Sequence, residues 1–123
     1  MLSKRKDTPI GIIIENSKNL LHTLKTKESE NIFYALSNLV LQSECANMII
    51  KSKLIEDLFW KLIPLFKTEK DIMNSWNYLA HLYKFLGSYT FSTEGLNAIV
   101  THNNVFDFTL FLLETISPPT DND

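Results

Sequence analysis

The sequence predicts an all-α fold, arranged as a right-handed helical solenoid of about two three-helix repeats with one leading helix. Three observations carry that prediction. Apolar residues recur at helical spacing along most of the chain, and no two-residue alternation of the kind that marks a half-buried strand persists. One short pattern also comes round twice: "SECANMII" from Ser43 is answered by "STEGLNAIV" from Ser92. Glu44 matches Glu94, Cys45 matches Gly95, Asn47 matches Asn97, and Ile49 with Ile50 match Ile99 with Val100.

The elements follow in order. The leading helix is expected over 9–25. Over 29–42, Ile32, Phe33, Leu36, Leu39 and Val40 fall at i, i+1, i+4, i+7 and i+8, one face of a helix. A short helix spans 44–51, with Glu44 in the first turn where the helix dipole favours a carboxylate. Leu54, Ile55, Leu58, Phe59, Leu62, Leu65 and Phe66 carry the stripe over 53–66, with a bend expected at Pro64. One long helix is expected over 69–87. Thr68 and Asp71 open it as a capping box, Ile72, Met73, Trp76, Leu79, Ala80, Tyr83 and Leu86 form its stripe, and Gly87 suits its end. A second short helix covers 93–101 behind Ser92. The last covers 104–116, with Asn104 and Asp107 as a further capping pair.

Long, short, long at 29–66 returns at 69–116, so the recurring octet is the short middle helix of a three-helix unit used twice. Its Asn is expected to tie the turn to a neighbouring helix and its Ile pair to pack inward. Units of this kind, armadillo- or HEAT-like, cannot bury their stripes alone and stack. In the last helix Val105, Phe106, Phe108, Leu110, Phe111, Leu112, Leu113 and Ile116 spread apolar groups nearly all round, which calls for cover from a following repeat or from self-association. A repeat domain over 9–117 is therefore expected between a disordered basic terminus, 1–8, and a disordered tail, 118–123.

Composition narrows the function classes. A formal charge of −2 on 123 residues lacks the basic excess of a nucleic-acid footprint. No apolar run has the length of a membrane span, and one cysteine cannot form an internal disulfide, so the cytoplasm is the expected compartment. His22, His81 and His102 lie on separate elements without metal-ligand spacing. Glu56 and Asp57 are adjacent and diverge on a helix, and three glycines make no phosphate loop. The chain reads as having no catalytic residue, metal or cofactor.

Two sets of residues stand out as candidate partner contacts. Asn74, Asn77, His81 and Lys84 lie at i, i+3, i+7 and i+10, opposite the apolar face of 69–87, where amides can pair with an extended peptide backbone. Phe108 and Phe111 sit on the over-apolar last helix. Of the tryptophans, Trp76 is expected in the core and Trp60 half-exposed. A Trp followed one turn later by Asn would signal capture of basic localisation peptides; here Ala80 takes that place.

The stretch "ALSNLVLQSECANMIIKS" (35–52), then "WNYLAHLY" (76–83), then "STEGLNAIV" ahead of "VFDFTLFLLE" (105–114), resembles the C-terminal armadillo-like region of the rotatin family. The likeness covers about 31–115 and rests on Leu36–Leu39, Cys45, Ile50–Ser52, Trp76, Glu94 with Gly95, and Asp107–Glu114. The "YKFLGSYTF" region is longer than the family's, and the family's closing helices do not follow, as in a fragment of a longer protein. The resemblance implies a non-catalytic scaffold that docks other centriolar proteins in centriole elongation, centriole-to-centrosome conversion and cilium formation. It implies residence at the centrosome and the basal body of the cilium. The alternative is an armadillo or HEAT adaptor with other protein clients, in trafficking or meiosis. A nucleic-acid or membrane partner has no support in the residues.

Overall fold

The computed structural model describes residues 8–116, which hold eight α-helices and two short 3-10 turns joined by short turns and loops, with no strand among the described residues. The helices are α1 (Pro9–Leu20), α2 (Thr26–Leu39), α3 (Ser43–Lys51), α4 (Leu54–Leu62), α5 (Glu69–Asn74), α6 (Trp76–Tyr89), α7 (Thr93–Val100) and α8 (Asn103–Ile116). The 3-10 turns, Leu21–Thr23 and Ile63–Leu65, follow α1 and α4. The expectations for 1–7 and 118–123 lie outside the described residues. Thr8, expected in the terminal segment, instead caps α1: Gly11 N–H donates to its Oγ1 at 3.1 Å.

Local chemistry explains most boundaries. The capping box forms as the residues dictate: Asp71 N–H donates to Thr68 Oγ1 at 3.3 Å, and Thr68 N–H returns to Asp71 Oδ2 at 3.0 Å. Lys67 N–H, at 2.9 Å, and Thr68 N–H both donate to Asp71 Oδ2 and hold its carboxyl below the ordinary range. Ser92 caps α7 through Gly95 N–H at 3.0 Å. Pro64 falls in the 3-10 turn that ends α4, where its missing N–H is no loss. Leu24 and Lys53 turn the chain in the left-handed region, with φ of 63° and 60°.

Several expectations are corrected. The long helix over 69–87 is two helices, because Ser75 adopts φ −117° and ψ 25° and its N–H turns back to Ile72 O at 3.1 Å. Gly87 lies inside α6, which runs on to Tyr89. Asn104 does not cap: α8 begins at Asn103. Asn47 and Asn97 are exposed on their short helices, so they do not anchor the turn.

Like helices pack on like helices. Among the described residues α2 lies along α6, α3 against α7 and α4 against α8, while α1 covers α2 and α4 and α5 bridges α6 and α8. The starts of α2 and α6 (26 and 76), their ends (39 and 89) and the starts of α3 and α7 (43 and 93) are each 50 residues apart. Two aromatic clusters sit at the junctions. Phe33 of α2 meets Tyr78 edge-on at 5.5 Å and Phe85 at 5.9 Å. Phe108 of α8 meets Phe59 at 5.5 Å and Phe66 at 5.4 Å, both edge-on, a geometry that aligns ring edges with ring faces.

Candidate functional site

The packing of α2 along α6 leaves a groove of about 510 Å³ over their shared outer face. Three positions of the 50-residue register contribute to it twice, once from each helix: Asn31 with His81, Tyr34 with Lys84, and Asn38 with Ser88. Phe33 forms part of the floor, Glu30 and Ser37 complete the α2 side, and Leu41 lines it just past the end of α2. Tyr34 is 68% exposed, so its ring stands in the groove as a platform instead of packing into the core.

His81 joins the two walls. Its Nδ1 lies 2.8 Å from Asn77 O on its own helix, and its Nε2 lies 2.8 Å from Glu30 Oε2 across the groove. Both neighbours are acceptors, so both contacts are hydrogen-bonded together only when each ring nitrogen carries a hydrogen. The contact is partly exposed and contributes on the order of 0–1 kcal/mol. Its consequence is positional, because it fixes one end of the groove. Lys84 and Glu30 put one charge of each sign beside the amides and the Tyr34 ring. Such a surface suits a mixed polar and apolar polypeptide better than a polyanion.

The structure divides the residues picked out in the sequence. His81 and Lys84 line the groove. Asn77 is exposed beside them and takes part through its carbonyl. Asn74 does not join them: it closes α5, and the break at Ser75 takes it out of the α6 register. Phe108, expected at a partner surface, is 2% exposed and belongs to the core, because Phe59 and Phe66 close over it. Phe111 is half-buried, tilted against Phe108 at 6.4 Å, in a shallow hollow with Ile63 and Asp107. The tryptophans keep their expected order, but both are more exposed than expected. Trp76, expected in the core, is 49% exposed at the start of α6, and Trp60 is 73% exposed on α4. The α2 residues of the groove were missed, although carrying the octet's spacing back from Lys84 leads to Tyr34.

Among the described residues no group of three or more His, Cys, Asp or Glu is placed to hold a metal ion, and no helix is long and apolar enough to cross a membrane. Compared with known proteins, the chain matches no family model, no curated protein and no solved structure.

Proposed function

We propose that this chain is a segment of an armadillo- or HEAT-like helical solenoid that works as a non-catalytic protein-interaction scaffold. One observation carries the reading: each helix of the first triplet packs on its counterpart 50 residues on. Stacking of like on like is how a repeat buries a stripe that it cannot bury alone. A consequence of such stacking is a surface on which equivalent positions line up, and the pairs Asn31/His81, Tyr34/Lys84 and Asn38/Ser88 do so in the groove. Its client is an extended polypeptide, with backbone groups on the amides and an apolar or aromatic side chain against Tyr34.

The cellular setting rests on the resemblance of 31–115 to the rotatin C-terminal region. Its clients are then other centriolar proteins, and its place is the centrosome and basal body. Proximity labelling tests this with the chain carrying a biotin ligase, alongside a Tyr34→Glu, Lys84→Glu variant. Both substitutions fall on exposed positions, so the fold is expected to stand. Centriolar proteins are expected to be enriched by the parent chain and lost with the variant. Enrichment of transport factors alone would point to the trafficking adaptor and remove the centriolar reading. An unchanged profile in the variant would remove the groove.

A further inference from the structure

A second concavity lies on the opposite side of α6 from the first unit. It holds about 250 Å³ between α6 and α8, walled by Leu79, Ala80 and Tyr83 on one side and Leu112 and Ile116 on the other. Tyr83 and Thr109 meet across its floor, oxygen to oxygen at 2.7 Å, so each hydroxyl has a partner. None of its lining side chains is charged.

The 50-residue register says what this surface is. The positions one unit earlier are Ser29, Phe33, Phe59, Leu62 and Phe66, standing where Leu79, Tyr83, Thr109, Leu112 and Ile116 stand in the second unit. All five are buried, and three of them pack on rings of the second unit: Phe33 against Tyr78 and Phe85, Phe59 and Phe66 against Phe108. In the second unit Tyr83, Thr109 and Ile116 are only half-buried. At these five positions the face that seats α6 and α8 on the first unit is thus repeated and left open; Trp76 and Ala80 also line the cleft, and their counterparts Thr26 and Glu30 are exposed.

We propose that this cleft is the acceptor face for a further three-helix unit of the same 50-residue build. A second copy of the chain is a poor occupant. The matching donor face of its second unit is already spent on its own first unit, and its first unit is covered by α1. The proposal rests on the stacking part of the reading above and is independent of the centriolar setting.

The test appends such a unit to the whole chain. Ile116 holds the register position of Phe66, so residues 67–116 are repeated directly after Ile116, reproducing the Phe66–Lys67 junction. Cys45→Ser and Thr109→Cys, the latter only in the original unit, leave one thiol on the cleft floor. Its reaction with a small thiol reagent is expected to be slower by about tenfold or more in the extended chain than in the unextended one. Ile116→Glu in the original unit should restore the rate. An unchanged rate would overturn the proposal, as would an appended segment that adds no helical signal while the parent unit stays folded. So would a concentration-dependent protection of the unextended chain with a dimer mass in light scattering, which would give the face to a second copy. A failed labelling experiment in cells would leave this result standing, and the reverse also holds.

Discussion

Tyr78 donates its phenolic hydrogen to the carbonyl of Leu21 at 2.7 Å, across 57 residues of chain and inside the core. The contact joins the start of α6 to the 3-10 turn after α1, where Leu24 N–H also reaches Leu21 O at 3.3 Å. That turn thereby keeps its acceptor satisfied away from water, and α1 is tied to the second triplet as well as to the first. Tyr78→Phe keeps the ring contact with Phe33 and removes only the bond. It is expected to cost about 1 kcal/mol, the net worth of a typical buried hydrogen bond, read as a lower urea midpoint with an unchanged slope.

The same burial sets an alkaline limit. Tyr78, Tyr83 and Tyr89 all have their phenols pushed above the ordinary value by loss of water, with Glu56 adding repulsion at Tyr89 and Thr109 opposing the shift at Tyr83. The folded chain therefore keeps protons that the unfolded chain gives up. Stability is complete below about pH 10 and falls as the pH rises past it, because ionised phenolate is accepted only by the unfolded state. Across that range the urea midpoints are expected to fall while tyrosinate absorbance, followed in parallel, rises. Steady midpoints while the phenols ionise would contradict the burial of these three rings.

Two helical glycines, Gly87 and Gly95, predict opposite outcomes. A Cβ built on Gly95 would sit 1.9 Å from Tyr89 O, a backbone atom that cannot step aside. This is why the position matching Cys45 in the first unit carries no side chain in the second. Gly95→Ala is expected to destabilise by at least the roughly 1–3 kcal/mol of an overpacked site. Gly87 has nothing within 4 Å and lies inside α6. Gly87→Ala is expected to raise stability by about 0.5–1 kcal/mol, since alanine loses less backbone freedom in a helix. Thermal or urea unfolding of the pair reads both signs at once.

Lys53 turns the chain from α3 into α4 at φ 60° and ψ 32°, a conformation that crowds a Cβ against the backbone. Its side chain is exposed, so little packing is lost on removing it. Lys53→Gly is expected to stabilise by about 0.5–1 kcal/mol, the balance of relieved strain against greater freedom in the unfolded chain. A fall in the unfolding midpoint would show that the lysine stem contributes more to the turn than its exposure indicates.

Helix content and the approximate places of the helices were legible in the residues, because spacing at 3.6 and the Thr68/Asp71 and Ser92 caps are local signals. The octet pattern located the 50-residue spacing for the same reason: the first turn of α3 and of α7 has the same local needs. Where a helix breaks inside an unbroken apolar stripe was not legible. Nothing in Asn74-Ser75-Trp76 distinguishes a bend from a continuous turn, and the break appears where α5 leaves α6 to reach α8. Which apolar residues reach the core was also a tertiary decision. Phe108 and Trp76 look alike as large residues on a stripe. Phe59 and Phe66 converge on the first and close over it, while the second lies on the side of α6 that its own unit leaves open. Periodicity assigns a residue to a face of its helix; only the packing of α2, α6 and α8 determines which faces are covered.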